Sequence, residues 1–308
     1  MNSVAVLMST YNGEKYLTEQ LDSILNQRGV SVTLFVRDDG SSDGTKSILN
    51  EYAEKHSNIH LNFAENVGVG KSFMNLLYSA PDSFDFYAFA DQDDIWLEDK
   101  LSEAAKLLSE SGKLLYVSNM ECVDKYGVSM GMRWATDDKK LFLTPEGIVS
   151  ANVLCGCTML MSAEFVKLIC DESKRPSDIV LRLKNHDGWI AAVAALYDGL
   201  IFDNRSFIKY RQHGENVVGA YNVGFIKGFK QRKNKFFNKN LRCPRSRQSS
   251  EICEKFPEKA AGFPLLQLGA RTKSLKDKKA IIRRQAEFRR FTEESKIAFI
   301  LKVRFGFF

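Results

Sequence analysis

Five short apolar runs separated by four segments of helical period fill the first 118 residues, and this alternation constrains the fold more than any other feature. The runs at 4–9, 32–36, 59–63, 84–90 and 114–118 predict buried strands. The segments at 15–27, 45–55, 69–78 and 97–109 place apolar residues on one helical face. Strands joined through helices by short links predict an α/β fold, a mostly parallel central sheet with helices on both faces. Right-handed crossovers bring the strand C-termini to one edge, where open parallel sheets bind ligands. Thr10-Tyr11-Asn12-Gly13, Asp38-Asp39-Gly40-Ser41-Ser42-Asp43-Gly44 and Asp91-Gln92-Asp93-Asp94 each follow an expected strand. Three polar loops are therefore expected to line one crevice.

Beyond about residue 150 the pattern changes. Residues 151–162 are apolar, 163–170 read as a helix and 171–184 as a polar linker. His186-Asp187-Gly188-Trp189 opens another helix, and 200–202 and 206–210 read as two short strands. Residues 221–308 hold 23 Lys+Arg against 7 Asp+Glu and read as basic and mostly helical, whereas residues 1–220 hold 21 against 31. An acidic front and a basic back usually serve different purposes. None of the six cysteines forms a C-x-x-C pair, so zinc spacing is missing, and Cys155 and Cys157 read as small buried hydrophobes. Neither a signal peptide nor a run of about 18 apolar residues is seen, which predicts a cytoplasmic setting.

The acidic run at 91–94 carries the most chemistry. Its three carboxylates repel one another, and the next basic residue is Lys100. A divalent cation such as Mg²⁺ or Mn²⁺, which prefers oxygen ligands, relieves that repulsion. The alternative is an acidic turn in which Asp94 caps the helix expected from about Leu97. In the second loop Ser42 or Asp43 can cap a helix, leaving a carboxylate of Asp38 or Asp39 to accept from a base N–H or a ribose hydroxyl. Asn66-Val67-Gly68-Val69-Gly70-Lys71 lacks the spacing of an ATPase phosphate loop, and Lys71 is either a diphosphate partner or a surface lysine. Asp187 is either a helix cap or a general base beside Trp189. Arg211-Gln212-His213 supplies a cation and an imidazole, the groups a metal–diphosphate site recruits, or a structural pair.

Taken in order with Gly214-Glu215-Asn216-Val217, these motifs resemble the inverting glycosyltransferases of family 2, which have the GT-A fold, and within them a bacterial rhamnosyltransferase-like branch. The resemblance spans about residues 3–220. It implies a catalytic domain over 1–220, with a donor half near 1–120 and an acceptor half near 121–220, followed by the basic region 221–308. Thr10, Tyr11 and Asp39 would hold the nucleoside, with Asn12, Asp38, Asn66, Lys71, Asp91 and Arg211 completing the donor site. Asp91 and Asp93 would form the D-x-D element, joined at Mn²⁺ or Mg²⁺ by His213, and Asp187 would be the catalytic base. The Gln-x-x-Arg-Trp signature of processive members is missing, which favours single additions.

The implied reaction is inverting transfer to a hydroxyl of a growing cell-surface glycan or lipid-linked acceptor. L-rhamnose from dTDP-rhamnose is the leading donor. A UDP-hexose donor, or a non-catalytic nucleotide- or metal-binding module, is the alternative. In the tail, 226–241 and 297–308 mix aromatic and aliphatic residues with Lys and Arg, which suits either an anionic membrane surface or helices packed on the catalytic domain. No nucleic-acid module is recognisable.

Overall fold

The computed structural model describes residues 1–134, 143–151, 154–213 and 242–308. Two compact units emerge: residues 1–137, 155–171 and 199–220 form one, and residues 138–154, 172–198 and 221–308 the other.

The first unit contains a nine-stranded sheet. β1 (Asn2–Thr10), β2 (Val30–Asp38), β3 (Ile59–Phe63) and β4 (Phe86–Ala90) run parallel in the order β3-β2-β1-β4. α1 (Leu17–Leu25), α2 (Thr45–Lys55) and α3 (Val69–Ser79) form the crossovers. β1 is central, and its residues Val4 to Met8 are fully buried. A strand covered on both faces needs an unbroken apolar run rather than an alternating one. The register sets Thr10 beside Asp38, Asp38 beside Phe63 and Met8 beside Ala90, so the polar loops that follow leave from one edge.

Past β4 the sheet becomes mixed, a departure from the mostly parallel expectation. β5 (Ile95–Trp96), α4 (Lys100–Ser111), β6 (Leu115–Val123), β7 (Ser129–Met132), α5 (Pro145–Ser150), β8 (Met159–Ser162), α6 (Ala163–Cys170), α7 (Asp178–Leu196) and β9 (Leu200–Arg211) follow in the chain. β8 inserts antiparallel between β4 and β6, while β6 and β9 pair in parallel. The two short strands expected at 200–210 are one strand. Asn204 and Arg205 bulge out between the pairs Ser118–Asp203 and Asn119–Ser206, and Asp203 Oδ1 accepts from the Arg205 N–H at 2.9 Å. That bulge broke the sequence pattern.

The second unit gathers α5, α7 and the C-terminal helices α8 (Pro244–Lys255), α9 (Pro257–Ala260), α10 (Pro264–Ala270), α11 (Leu275–Arg283), α12 (Gln285–Arg289) and α13 (Lys296–Phe305). Leu265, Ile281, Phe288, Phe291, Phe299, Val303 and Phe308 form its aromatic-rich core. One passage between the units falls at 220/221, and residues 138–154 and 172–198 group with the C-terminal helices. Gln248 of α8 donates to the Gly188 carbonyl at 2.8 Å, Lys174 to the Lys255 carbonyl at 2.6 Å and Arg245 to the Ser150 carbonyl at 2.9 Å, fastening α5 and α7 to the tail helices. The supposed linker 171–184 is partly helical too, because Ser177 caps α7 by accepting from the Val180 N–H. Residues 214–217 of the last motif and the basic stretch 226–241 lie outside the described residues.

Candidate functional site

At the sheet edge the first two polar loops are tied together. Asp38 is fully buried; its carboxylate accepts from Thr10 Oγ1 at 3.1 Å, from the Ser41 N–H at 2.9 Å and from Ser41 Oγ. Asn12 donates its N–H to Ser41 Oγ at 2.8 Å, and its Oδ1 accepts from the Ser42 N–H at 2.9 Å. Asp39 pairs with Arg37 and accepts from the Val67 and Gly68 N–H groups at 2.9 and 3.0 Å. One carboxylate thus shapes the second loop, while its neighbour ties that loop to the segment carrying Asn66. Gly40 has a φ of +85° there, and a Cβ would come within 3.3 Å of the Asn66 nitrogen, so the close approach demands glycine.

The first loop also leans on the acidic run. Gln92 Oε1 accepts from the Tyr11 N–H at 2.8 Å, and Gln92 Nε2 donates to the Tyr11 carbonyl at 3.1 Å. This brackets the Tyr11 backbone as a paired strand would and leaves the side chain 51% exposed. Sequence reasoning overlooked Gln92; its place between two carboxylates of a motif was the available signal.

The acidic residues divide by burial. Asp93 receives a 2.7 Å hydrogen bond between its Oδ2 and His213 Nε2, across 120 residues of chain. Asp94 is fully buried and accepts from the Arg211 N–H at 3.1 Å, while its Oδ2 has no hydrogen-bonding partner among the described residues. Burial, reinforced by the charges of Asp93 and Asp91, raises its pKa well above the usual carboxylate range. Asp94 caps no helix: α4 starts at Lys100 behind Asp99. Lys100 itself is buried, 3.8 Å from the centroid of the Trp96 ring, and burial lowers its pKa to about 8.

Arg211 is only 3% exposed, and its guanidinium contacts protein groups. Nε donates to the Asp93 carbonyl at 3.0 Å, Nη1 to the Lys125 carbonyl at 3.3 Å, and Nη2 pairs with Glu19. These contacts tie Arg211 to the acidic loop. Lys71 is half-buried in the first turn of α3.

Among the described residues, the grouping of three candidate ligand atoms within 4.8 Å is Asp91, Asp94 and Cys157, not Asp91, Asp93 and His213. Burial, with Asp94 and Asp91 nearby, pushes the Cys157 thiol well above its usual pKa. Carboxylate oxygens, with the His213 imidazole hydrogen-bonded to Asp93, outnumber the thiol at this loop, a set that fits Mn²⁺ or Mg²⁺ better than a thiophilic metal.

Asp187 belongs to the second unit. α7 is interrupted at Asn185, where φ is 57° and ψ 178°, so Asp187 stands in the first turn of a renewed helix and its Oδ1 accepts from the Gly188 N–H at 2.6 Å. His186 beside it is buried, and burial drives its pKa down to about 3.

A family model described as glycosyl transferase family 2 matches residues 5–169. A dTDP-rhamnosyl transferase, RfbG of Shigella flexneri, is 31% identical over 247 residues, covering 76% of this chain and 82% of that protein. The uncharacterized glycosyltransferase RT0329 of Rickettsia typhi is 25% identical over 229 residues, covering 70% of this chain and 66% of its own. Among solved structures, residues 1–349 of S. aureus TarS in complex with UDP-GlcNAc superpose with a TM-score of 0.54 at 18% identity, covering 94% of this chain and 81% of that one. At that identity the likeness concerns the fold.

Proposed function

The chain belongs to glycosyl transferase family 2 and has the GT-A fold, and from that premise we propose that it transfers L-rhamnose from dTDP-rhamnose, with inversion, to a hydroxyl of a cell-surface glycan or lipid-linked acceptor. The donor assignment draws on the similarity to the dTDP-rhamnosyl transferase. The observation that carries the site is the 2.7 Å pairing of His213 with Asp93 at the edge where β1 ends at Thr10, β2 at Asp38 and β4 just before Asp91.

In this reading the exposed Tyr11 ring offers a face to the base, and Asp39, Asn12 and Asn66 line the nucleoside side. Asp91 and Asp93, with His213, hold Mn²⁺ or Mg²⁺. Such a cation, when bound, neutralises charge on the departing diphosphate. Lys71 adds a positive charge on the donor side. Asp187 takes the proton of the attacking hydroxyl, worth roughly 10²–10⁴-fold.

The acceptor is proposed to lie at an anionic lipid surface, on the inner face of the plasma membrane. No described helix is long and apolar enough to cross a membrane. α13, however, is apolar on two sides. Phe299 and Val303 enter the core, while Ile297, Leu301 and Phe305 are 72%, 46% and 63% exposed at i, i+4 and i+8, flanked by Lys296 and Arg304.

The test is a pair of variants measured for dTDP binding and sugar transfer. Asp187→Asn should bind dTDP as the parent does and lose transfer by about 10²-fold or more; full transfer sinks the base assignment. Asp93→Ala should lose the part of dTDP affinity that depends on Mn²⁺. If UDP rather than dTDP raises the melting temperature, the donor is a UDP-sugar.

A further inference from the structure

We propose that Tyr16, just ahead of α1, is a positioning residue that holds the His213 imidazole on Asp93. The proposal deepens the metal–diphosphate reading and rests on it. β9 ends at Arg211, and the Gln212 N–H makes a last bond to the Val123 carbonyl at 2.8 Å. His213 therefore stands beyond the sheet. The hydrogen bond to Asp93 anchors one ring nitrogen, and packing against the ring helps to set its plane. Tyr16 packs there: the two rings lie 5.0 Å apart, tilted by 35°.

The Tyr16 ring has further partners. The Arg211 guanidinium lies 4.6 Å from its centroid, and Glu19, one turn along α1, pairs with that guanidinium. Arg211 in turn reaches back to the Asp93 carbonyl at 3.0 Å and to Asp94 at 3.1 Å. The contacts close a circuit of Tyr16, His213, Asp93 and Arg211, with Glu19 paired to Arg211. Tyr16 is also fixed to the first polar loop, donating its N–H to the Gly13 carbonyl at 3.1 Å. The loop expected to hold the nucleoside and the group expected to serve the diphosphate are thus braced by one aromatic ring. Its hydroxyl is buried with no hydrogen-bonding partner among the described residues. The ring face, not the hydroxyl, is the working part, and phenylalanine should replace tyrosine at this position.

The experiment compares the full-length parent with Tyr16→Phe, Tyr16→Leu and, as a marker, His213→Ala. The first readout needs neither metal nor turnover: the downfield imidazole N–H proton of His213 in the NMR spectrum, identified by its disappearance in His213→Ala. The parent and Tyr16→Phe should show it, and Tyr16→Leu should lose it to solvent exchange. The second is Mn²⁺ affinity in the presence of dTDP, followed by electron paramagnetic resonance. Tyr16→Leu should weaken it about 3- to 10-fold, the range expected for losing one ring partner, and Tyr16→Phe should not. Should Tyr16→Leu fail to fold, Tyr16→Met fills the space without a ring and carries the same expectations. Survival of the proton in Tyr16→Leu, its loss in Tyr16→Phe, or its absence from the parent overturns the proposal. A parent that shows the proton but binds no Mn²⁺ overturns the metal reading, and with it the role assigned to Tyr16.

Discussion

Burial removes His186 from the range in which histidines ordinarily titrate, and the consequence is a pH-dependent stability. Its folded pKa is lowered to about 3, against about 6.5 in the unfolded chain. Between those values the unfolded state binds a proton that the folded state refuses. The contribution is therefore complete above pH 6.5 and is lost as pH falls, at about 1.4 kcal/mol per pH unit. Urea melts at pH 7.5 and 5.0 should show His186→Gln losing about 2 kcal/mol less than the parent over that interval; equal losses would refute the assignment. At this scale the sequence was informative about residue type and poor about environment. Clustered carboxylates at 91–94 announced a charged site, but Asp93 meets His213 whereas Asp94 is sealed in the core. That difference is made by β9 arriving from more than a hundred residues downstream. The partners of Arg211, Glu19 and the carbonyls of Asp93 and Lys125, are likewise remote in sequence.

Elements with purely local signals were read well. α2 and β3 fall on the residues their periodicity marks, and α6 does as well, with Ser162 as its cap. The failures are elements held by tertiary partners. The two-residue β5 exists because Ile95 and Trp96 pair with Lys209 and Ile208. The first half of α7 was masked by Asp178, Arg182 and Lys184, although Val180 and Leu181 between them are buried. The break in that helix leads to a second prediction. Asn185, at φ 57° and ψ 178°, occupies backbone territory that essentially only glycine enters without strain. Asn185→Gly should stabilise the protein by about 1 kcal/mol, the relief of strain outweighing the entropy of the freer unfolded chain. Asn185→Ala should not stabilise it. Calorimetric melting of the two variants checks this, and a lower melting temperature for the glycine variant would count against a strained break.

For the whole molecule, strand–helix alternation made the donor-side half of the sheet legible, and the motif order made the family legible. Composition alone left the tail ambiguous between a membrane face and a packed bundle. The described helices give it both features: a core built around Phe288, Phe299 and Phe308, and an exposed row of Ile297, Leu301 and Phe305. The exposed row predicts that the protein floats with anionic phospholipid vesicles and that changing residues of the row to serine weakens binding about 10-fold for each side chain that enters the lipid, at roughly 1.5 kcal/mol per buried side chain. Unchanged flotation by such variants would assign the row another purpose. The interleaved units carry a consequence for anyone dissecting the protein genetically. The chain passes between them at 137/138, 154/155, 171/172, 198/199 and 220/221. A stop codon at 199 would strip the first unit of β9 and of His213, and would leave β6 with an unpaired edge prone to aggregation. Residues 1–198 and 199–308 are thus not a donor module and an acceptor module. Each fragment inherits parts of both units, and activity is expected only when both are made together.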